Sequence, residues 1–203
     1  MRASSEPPHP EVPRQAVLHT TRIELIPLAD HHFEFELELD SDPEVLRYLY
    51  PRARTYQEVE EAHQRRMAAG RVVAGLGFWV GFVAGEFVGW WILQPPHGPD
   101  QPRVSGEADL GYRLLRRRWR QGLAGEGSRE LLRHGFVDLG LDRIFAQTLS
   151  INEPSRAVMR SIGMTYVRGF PADSSEAVAG SDAGEVEYAI TRDEWVRKQT
   201  APA

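Results

Sequence analysis

Apolar and polar positions alternate over Ile23-Glu24-Leu25, within residues 17–28, with the two-residue period of a half-buried strand. Asp30 stands where it would cap a helix running through Phe33, Leu37 and Leu39. Asp42-Pro43 opens a short helix carrying Val45, Leu46 and Leu49. Thr55, with Glu58 three residues on, is a capping box for a helix to about Ala69. From residue 72 to 93 the only charge is Glu86, and Phe78, Trp79, Val80, Phe87, Trp90 and Trp91 are side chains that strands prefer. Ala84-Gly85-Glu86 interrupts them, which predicts a buried two-stranded hairpin. The same stretch has Gly77, Gly81, Gly85 and Gly89 at every fourth position, the small-residue spacing of a transmembrane helix pair. The aromatic content, the turn and the lack of flanking anchors favour the hairpin.

Further along, residues 95–102 hold four prolines and read as a loop. Residues 106–115 read as a strand, and 122–140 as a helix with Leu132, Phe136 and Leu139 on one face. Strand 143–150, helix 154–162 and strand 164–170 follow. A small, acidic loop at 171–184, a strand at 185–190 and a turn of helix at 192–198 complete the pattern. One hydrophobic core and no repeat point to a single α/β domain.

Composition narrows the function classes. The 203 residues carry 24 Lys and Arg against 29 Asp and Glu, a net charge of −5, which supplies no field for nucleic acid or an anionic membrane. There is no cysteine, so disulfides, thiolate metal sites and a cysteine nucleophile are excluded. Residues 1–15 contain Pro7, Pro8, Pro10 and Pro13 and no apolar signal core. They are expected to form a disordered tail before a domain at 16–203, with the cytoplasm as the expected location. No histidine has metal-ligand spacing with carboxylates, so no metal is expected.

The stretch that points most strongly to chemistry is a strand, a turn and a helix start: Asp109-Leu-Gly-Tyr-Arg-Leu-Leu, four arginines at 116, 117, 118 and 120, then Gln121-Gly-Leu-Ala-Gly-Glu-Gly127. Gly122, Ala124, Gly125 and Gly127 let backbone approach a ligand at a helix N-terminus, where free N–H groups and the dipole favour a phosphate. Gly122 to Ser128 has phosphate-loop spacing without its lysine, and the glycine order is not that of a dinucleotide fold. The arrangement resembles the GNAT acetyltransferase superfamily, in which W-x-x-G-x-A follows the fourth strand: Trp119-Arg-Gln-Gly122-Leu-Ala124 aligns with it. Asn152-Glu-Pro-Ser155, followed by Arg160-Ser-Ile-Gly163-Met164, is similar to a second block of that family. Thr21-Arg22 to Leu28 and Ser41 to Leu49 resemble the branch with ribosomal-protein N-terminal acetyltransferases.

The resemblance implies a mixed, mostly antiparallel twisted sheet of about seven strands with helices on both faces, binding acetyl-CoA. Amides of Arg120, Gln121, Gly122, Leu123, Ala124, Gly125 and Gly127 would then hold the pyrophosphate. Backbone near Arg113 and Leu115 would pair with the pantetheine arm, and Asn152 would bond that arm.

Acetyl transfer requires an amine to lose a proton, and a carboxylate can accept it, directly or through water. Glu107 and Asp109 share one face of their strand. Asp109 matches the family's acidic position and is the favoured base, with Glu107 or water as alternatives. Several family members place a tyrosine where this chain has Met159, to protonate the leaving thiolate. Ser155 is the expected substitute, although a thiolate of pKa about 8.5 has little need of a dedicated acid. The expected function is acetyl transfer from acetyl-CoA to a primary amine, on a small molecule or a protein N-terminus. The alternative is a non-catalytic CoA-binding module. A homodimer through the hairpin or terminal strands is compatible with either.

Overall fold

The apolar stretch after residue 72 forms the expected hairpin. Strands Gly77–Val83 (β3) and Glu86–Gln94 (β4) pair antiparallel, with Val83 opposite Glu86 across a two-residue turn. Ala84 and Gly85 both have positive φ, 50° and 79°, as such tight hairpins require. Both strands are buried on both faces, which is why they read as nearly continuous apolar runs. Among the described residues no helix is long and apolar enough to cross a membrane.

The computed structural model describes residues 15–98, 101, 104–172 and 178–200. Residues 1–14 of the expected tail at 1–15, and part of the expected loops, 99–100, 102 and 173–177, lie outside the described residues, while Gln15 is described and its Nε2 donates to Phe78 O at 3.3 Å. The sheet has eight strands rather than about seven, because the expected strand at 17–28 is split. Thr20 turns the chain between Leu18–His19 (β1) and Glu24–Pro27 (β2), its Oγ1 accepting the Ile23 N–H at 2.8 Å. Asp30 is not a cap: it begins a 3-10 turn entered from Ala29, whose N–H bonds His32 Nδ1 at 3.0 Å. Helix α1 then runs Phe33–Asp40, and Asp42 caps the short α2, Pro43–Leu46. The Thr55–Glu58 capping box opens α3, Tyr56–Ala69.

Strand β5 spans Glu107–Leu114 and α4 spans Leu123–Arg133. The expected helix to residue 140 instead passes into a π turn at His134–Asp138. Then come β6, Arg143–Leu149; α5, Glu153–Ser161; β7, Thr165–Phe170; β8, Glu185–Thr191; and α6, Arg192–Thr200. The strand order is β1-β2-β3-β4-β5-β6-β8-β7, antiparallel everywhere except between β5 and β6.

Two cores flank the sheet. Trp79, Trp91 and Leu93 pack with Leu131, Leu132 and Phe136 from α4 and its π turn. Phe78, Val80, Trp90 and Ile92 face the other way with Leu39 of α1. The alternation follows from the two-residue period of a strand.

Helix α1 has an inner face the hydrophobic pattern does not reveal: Glu36 and Asp40, four residues apart, are both fully buried. Arg66 of α3 pairs with Glu36 and, at 3.0 Å, with Asp40. Arg113 of β5 pairs with Asp40 as well, and His63 bonds Glu36. The cluster ties α1 and α3 to β5. Its guanidinium groups flank Trp90, those of Arg66 and Arg113 lying 5.2 and 4.9 Å from the ring centre. Burial alone would raise the Asp40 pKa, but Arg113 and Arg66 hold it below the ordinary carboxylate value.

Candidate active site

Among the described residues the only parallel strand pairing is also the opening of the sheet. The β5–β6 ladder joins Glu107–Arg143, Ala108–Ile144 and Asp109–Phe145 and stops there. Beyond it β5 stays bonded to β4 as far as Leu114, and β6 stays bonded to β8 as far as Leu149. The facing edges therefore part, leaving backbone N–H and C=O groups of β5 without a strand partner on that side. Leu115 N–H donates to Val88 O at 3.0 Å, so residues of that parity, Arg113 included, turn their backbone toward β4. The groups at the opening belong to Leu110, Tyr112 and Leu114. Leu114 lies within the expected pantetheine stretch near Arg113 and Leu115, while the Arg113 side chain is taken up by Asp40.

A cavity of about 770 Å³ occupies the opening. Its walls include Leu110 to Leu114 of β5, Gln147 and Thr148 of β6, and Asn152, Ser155, Val158 and Met159 of the α5 segment. Arg118 to Arg120, Gly122 to Gly125, Arg129 and Ser161 line one end, and Glu44, Val45, Arg47, Tyr48 and Leu49 line another part. Of the expected cofactor residues, Arg113, Arg120, Gly122, Leu123, Ala124, Gly125 and Asn152 reach the wall, while Leu115, Gln121 and Gly127 do not.

The turn into α4 is shaped for an anion. Arg120 (φ 58°) and Gly122 (φ 78°) both sit in the left-handed region. For Arg120 this conformation costs on the order of 1 kcal/mol, a strain that concentrates at functional loops. Gly122 is the N-cap and no side chain caps the helix, so first-turn N–H groups have no intrahelical acceptor. Arg22 braces this turn, donating to Gln121 O at 3.0 Å and pairing with Glu126 at 2.5 Å. Burial would raise the Glu126 pKa, but hydrogen bonds from Thr20 and Arg22 lower it overall. Gln121 itself turns back, its Nε2 donating to Arg117 O at 3.0 Å.

The two helical glycines differ. A Cβ on Gly125 would meet nothing closer than 3.5 Å, whereas one on Gly127 would lie 2.5 Å from the Trp91 ring. Gly127 thus serves close packing of α4 on the sheet, and Gly125 keeps the cavity end open. Among the arginines, Arg117 pairs with Glu38 at 2.5 Å and Arg118 with Glu86. Arg129, one turn after Gly125, lines the anion end and was not singled out from sequence; its spacing of four on the glycine-bearing helix was the available signal.

On the α5 side, Asn152 caps the helix by accepting Ser155 N–H at 3.3 Å and donates to Thr148 Oγ1 at 2.9 Å. Ser155 Oγ lies 3.0 Å from the hydroxyl of Tyr112. Burial raises the Tyr112 pKa to about 12. Of the two carboxylates on one face of β5, Glu107 pairs with Arg143 at 2.8 Å. That pair continues through Glu187, at 2.5 Å, to Arg168, a chain across β6, β8 and β7. Asp109 precedes the first cavity residue of β5, Leu110, in the chain and, like Glu107, is not on the cavity wall; its Oδ2 lies 3.7 Å from His97 Nδ1. Among the described residues no three His, Asp or Glu side chains converge as a metal would require.

Residues 22–165 match the family model described as "Acetyltransferase (GNAT) domain". The chain belongs to that family of acetyltransferases. It is 42% identical over 188 residues to the "FsC-acetyl coenzyme A-N(2)-transacetylase" of Aspergillus fumigatus, covering 91% of this chain and 80% of that protein. Its fold is similar to that of a GNAT-family acetyltransferase from Bacillus anthracis, with a TM-score of 0.71 at 22% identity over 88% of this chain and 99% of the other. It is also similar to RimL, a ribosomal L7/L12 alpha-N-protein acetyltransferase solved with coenzyme A. That match has a TM-score of 0.72 at 18% identity over 88% of this chain and 99% of the other. With the family and the identity to a transacetylase taken together, this chain is an acetyl-CoA-dependent N-acetyltransferase.

Proposed function

We propose that the chain acetylates a primary α-amine by direct attack of the amine on the thioester of acetyl-CoA, within the opening between β5 and β6. The observation that carries this reading is the early end of the β5–β6 ladder at Asp109–Phe145, beside an uncapped helix N-terminus. Free strand backbone suits an amide-bearing arm, and the α4 end suits its diphosphate. Backbone N–H at the opening also suits the developing oxyanion. Asp109, next in the chain to the cavity residue Leu110, is the base in this reading, with Glu107 or water as the alternative. Ser155 offers its hydroxyl to the leaving sulfur.

The names of two relatives support this acceptor class: one is named for an N(2) amine and another for alpha-N acetylation of a protein. The greater identity belongs to the former, which favours the α-amine of a small amino-acid derivative over a protein N-terminus. Mass spectrometry of a mixed library, containing α-amines, side-chain amines, simple alkylamines and peptides, tests this after incubation with acetyl-CoA. Acetylation concentrated on small α-amines is expected. Acetylation only of peptides, or only of side-chain amines, would overturn the acceptor class.

A further inference from the structure

The Tyr112 side chain reaches from β5 to the first turn of α5, bridging two elements that the opening separates. Its hydroxyl lies 3.0 Å from Ser155 Oγ and 3.3 Å from the Ser155 carbonyl, which can only accept, so the phenol hydrogen has two acceptors of which Oγ is the nearer. Ser155 has few other ways to be held: its N–H goes to Asn152, and Oγ has no other protein partner among the described residues. A serine hydroxyl rotates freely and carries one hydrogen, so whichever group donates to Oγ decides where that hydrogen points. Both residues line the cavity.

We propose that Tyr112 is a positioning residue for acetyl transfer: its O–H donates to Ser155 Oγ, directing the Ser155 hydrogen to the leaving sulfur. The proposal rests on the reading of Ser155 as the group that meets that sulfur. In the step concerned, the amine nitrogen bonds to the thioester carbon and its proton passes to Asp109. The carbon–sulfur bond then breaks with its electron pair going to sulfur. The Ser155 hydrogen bond supports the charge that gathers there, and the released thiolate takes a proton from solvent. Neither hydroxyl ends the cycle ionised. The raised pKa of Tyr112 suits this role, because the phenol stays a donor from the pH at which an α-amine loses its proton up to about 12.

The test is a double-mutant cycle on steady-state turnover with Tyr112→Phe, Ser155→Ala and the pair. Phenylalanine keeps the ring and removes only the hydroxyl. Tyr112→Phe should lower kcat about three- to tenfold, the worth of one neutral hydrogen bond, with KM for acetyl-CoA within about twofold. The double variant should turn over no more slowly than Ser155→Ala alone. A second measurement needs no truncation: a ring-fluorinated tyrosine at position 112, whose phenol ionises near neutral pH, should make kcat fall as pH rises through that ionisation. Additive losses in the cycle, or a Tyr112→Phe effect confined to KM, would overturn the positioning role. A fluorinated enzyme with an unchanged pH profile would overturn it too. Unchanged turnover in Ser155→Ala would instead remove Ser155 from the mechanism, and the proposal with it. A wild-type enzyme that releases no thiol with any amine would remove the acetyl-transfer reading itself.

Discussion

Arg113, on the cavity wall, donates from Nη1 to Oδ1 of Asp40, a fully buried carboxylate on the first helix. The pair fixes the distance between α1 and the strand that carries the site. Arg66 shares the same carboxylate at 3.0 Å. Replacing Asp40 with Asn would leave buried guanidinium charge without its counter-charge. Breaking such a pair costs about 3–5 kcal/mol, so a large fall in the urea midpoint is expected. A midpoint within error of wild type would show that water or rearrangement relieves the charge.

The same pair makes a signed pH prediction. The Asp40 pKa is lower folded than unfolded, so its stabilisation is complete above the ordinary carboxylate value of about 3.9. It is lost as pH falls through the lowered folded pKa. Wild-type stability should therefore decline on the acid side, and the gap to Asp40→Asn should close there. Urea titrations between neutral pH and about pH 3 measure this, spanning the unfolded-state carboxylate value. A gap that widens on acidification would reverse the sign and contradict the assignment.

Gly127 and Gly125 should respond differently. Gly127→Ala places a methyl 2.5 Å from Trp91, an overpacking that costs about 1–3 kcal/mol. Calorimetric coenzyme A affinity of the remaining folded protein should change little. A loss of affinity without loss of stability would place Gly127 at the ligand instead.

Much of this fold was legible because strand and cap signals are local. The hairpin, the Thr55–Glu58 box and the turn into α4 each follow from neighbours a few residues apart. Glu36 and Asp40 were not legible, since Phe33-Glu-Phe-Glu-Leu-Glu-Leu-Asp alternates and gives no clear helical face. Their burial depends on arginines 26 to 73 positions away, a pairing no local pattern contains. Tyr112 was visible as part of a motif, but its contact with Ser155 spans 43 positions across the opening between β5 and β6. Glu107 and Asp109 share a strand face by their spacing, but the pairing of Glu107 with Arg143, 36 positions away, is in no local pattern.

For the two carboxylates, Asp109→Asn should lower kcat by about 10²–10⁴ if Asp109 is the general base, with acetyl-CoA binding changed by less. The loss should shrink at high pH, where the amine gives up its proton unaided. Glu107→Gln should leave kcat much closer to wild type while weakening its tie to Arg143. The reverse pattern would exchange their roles, and normal turnover in both would hand the proton to water.

The most direct measurement of the central claim counts two products together, free thiol from acetyl-CoA and acetylated amine, in wild type and Gly125→Val. A valine there fills the space beside Arg129 and Ser161, at the cavity end assigned to the diphosphate, with no sheet residue among the atoms nearest its Cβ. Wild type should yield one thiol for each acetylated amine, and the folded variant should lose nearly all of both. Undiminished transfer by a folded Gly125→Val enzyme, or thiol release with no acetylated amine, would contradict the account.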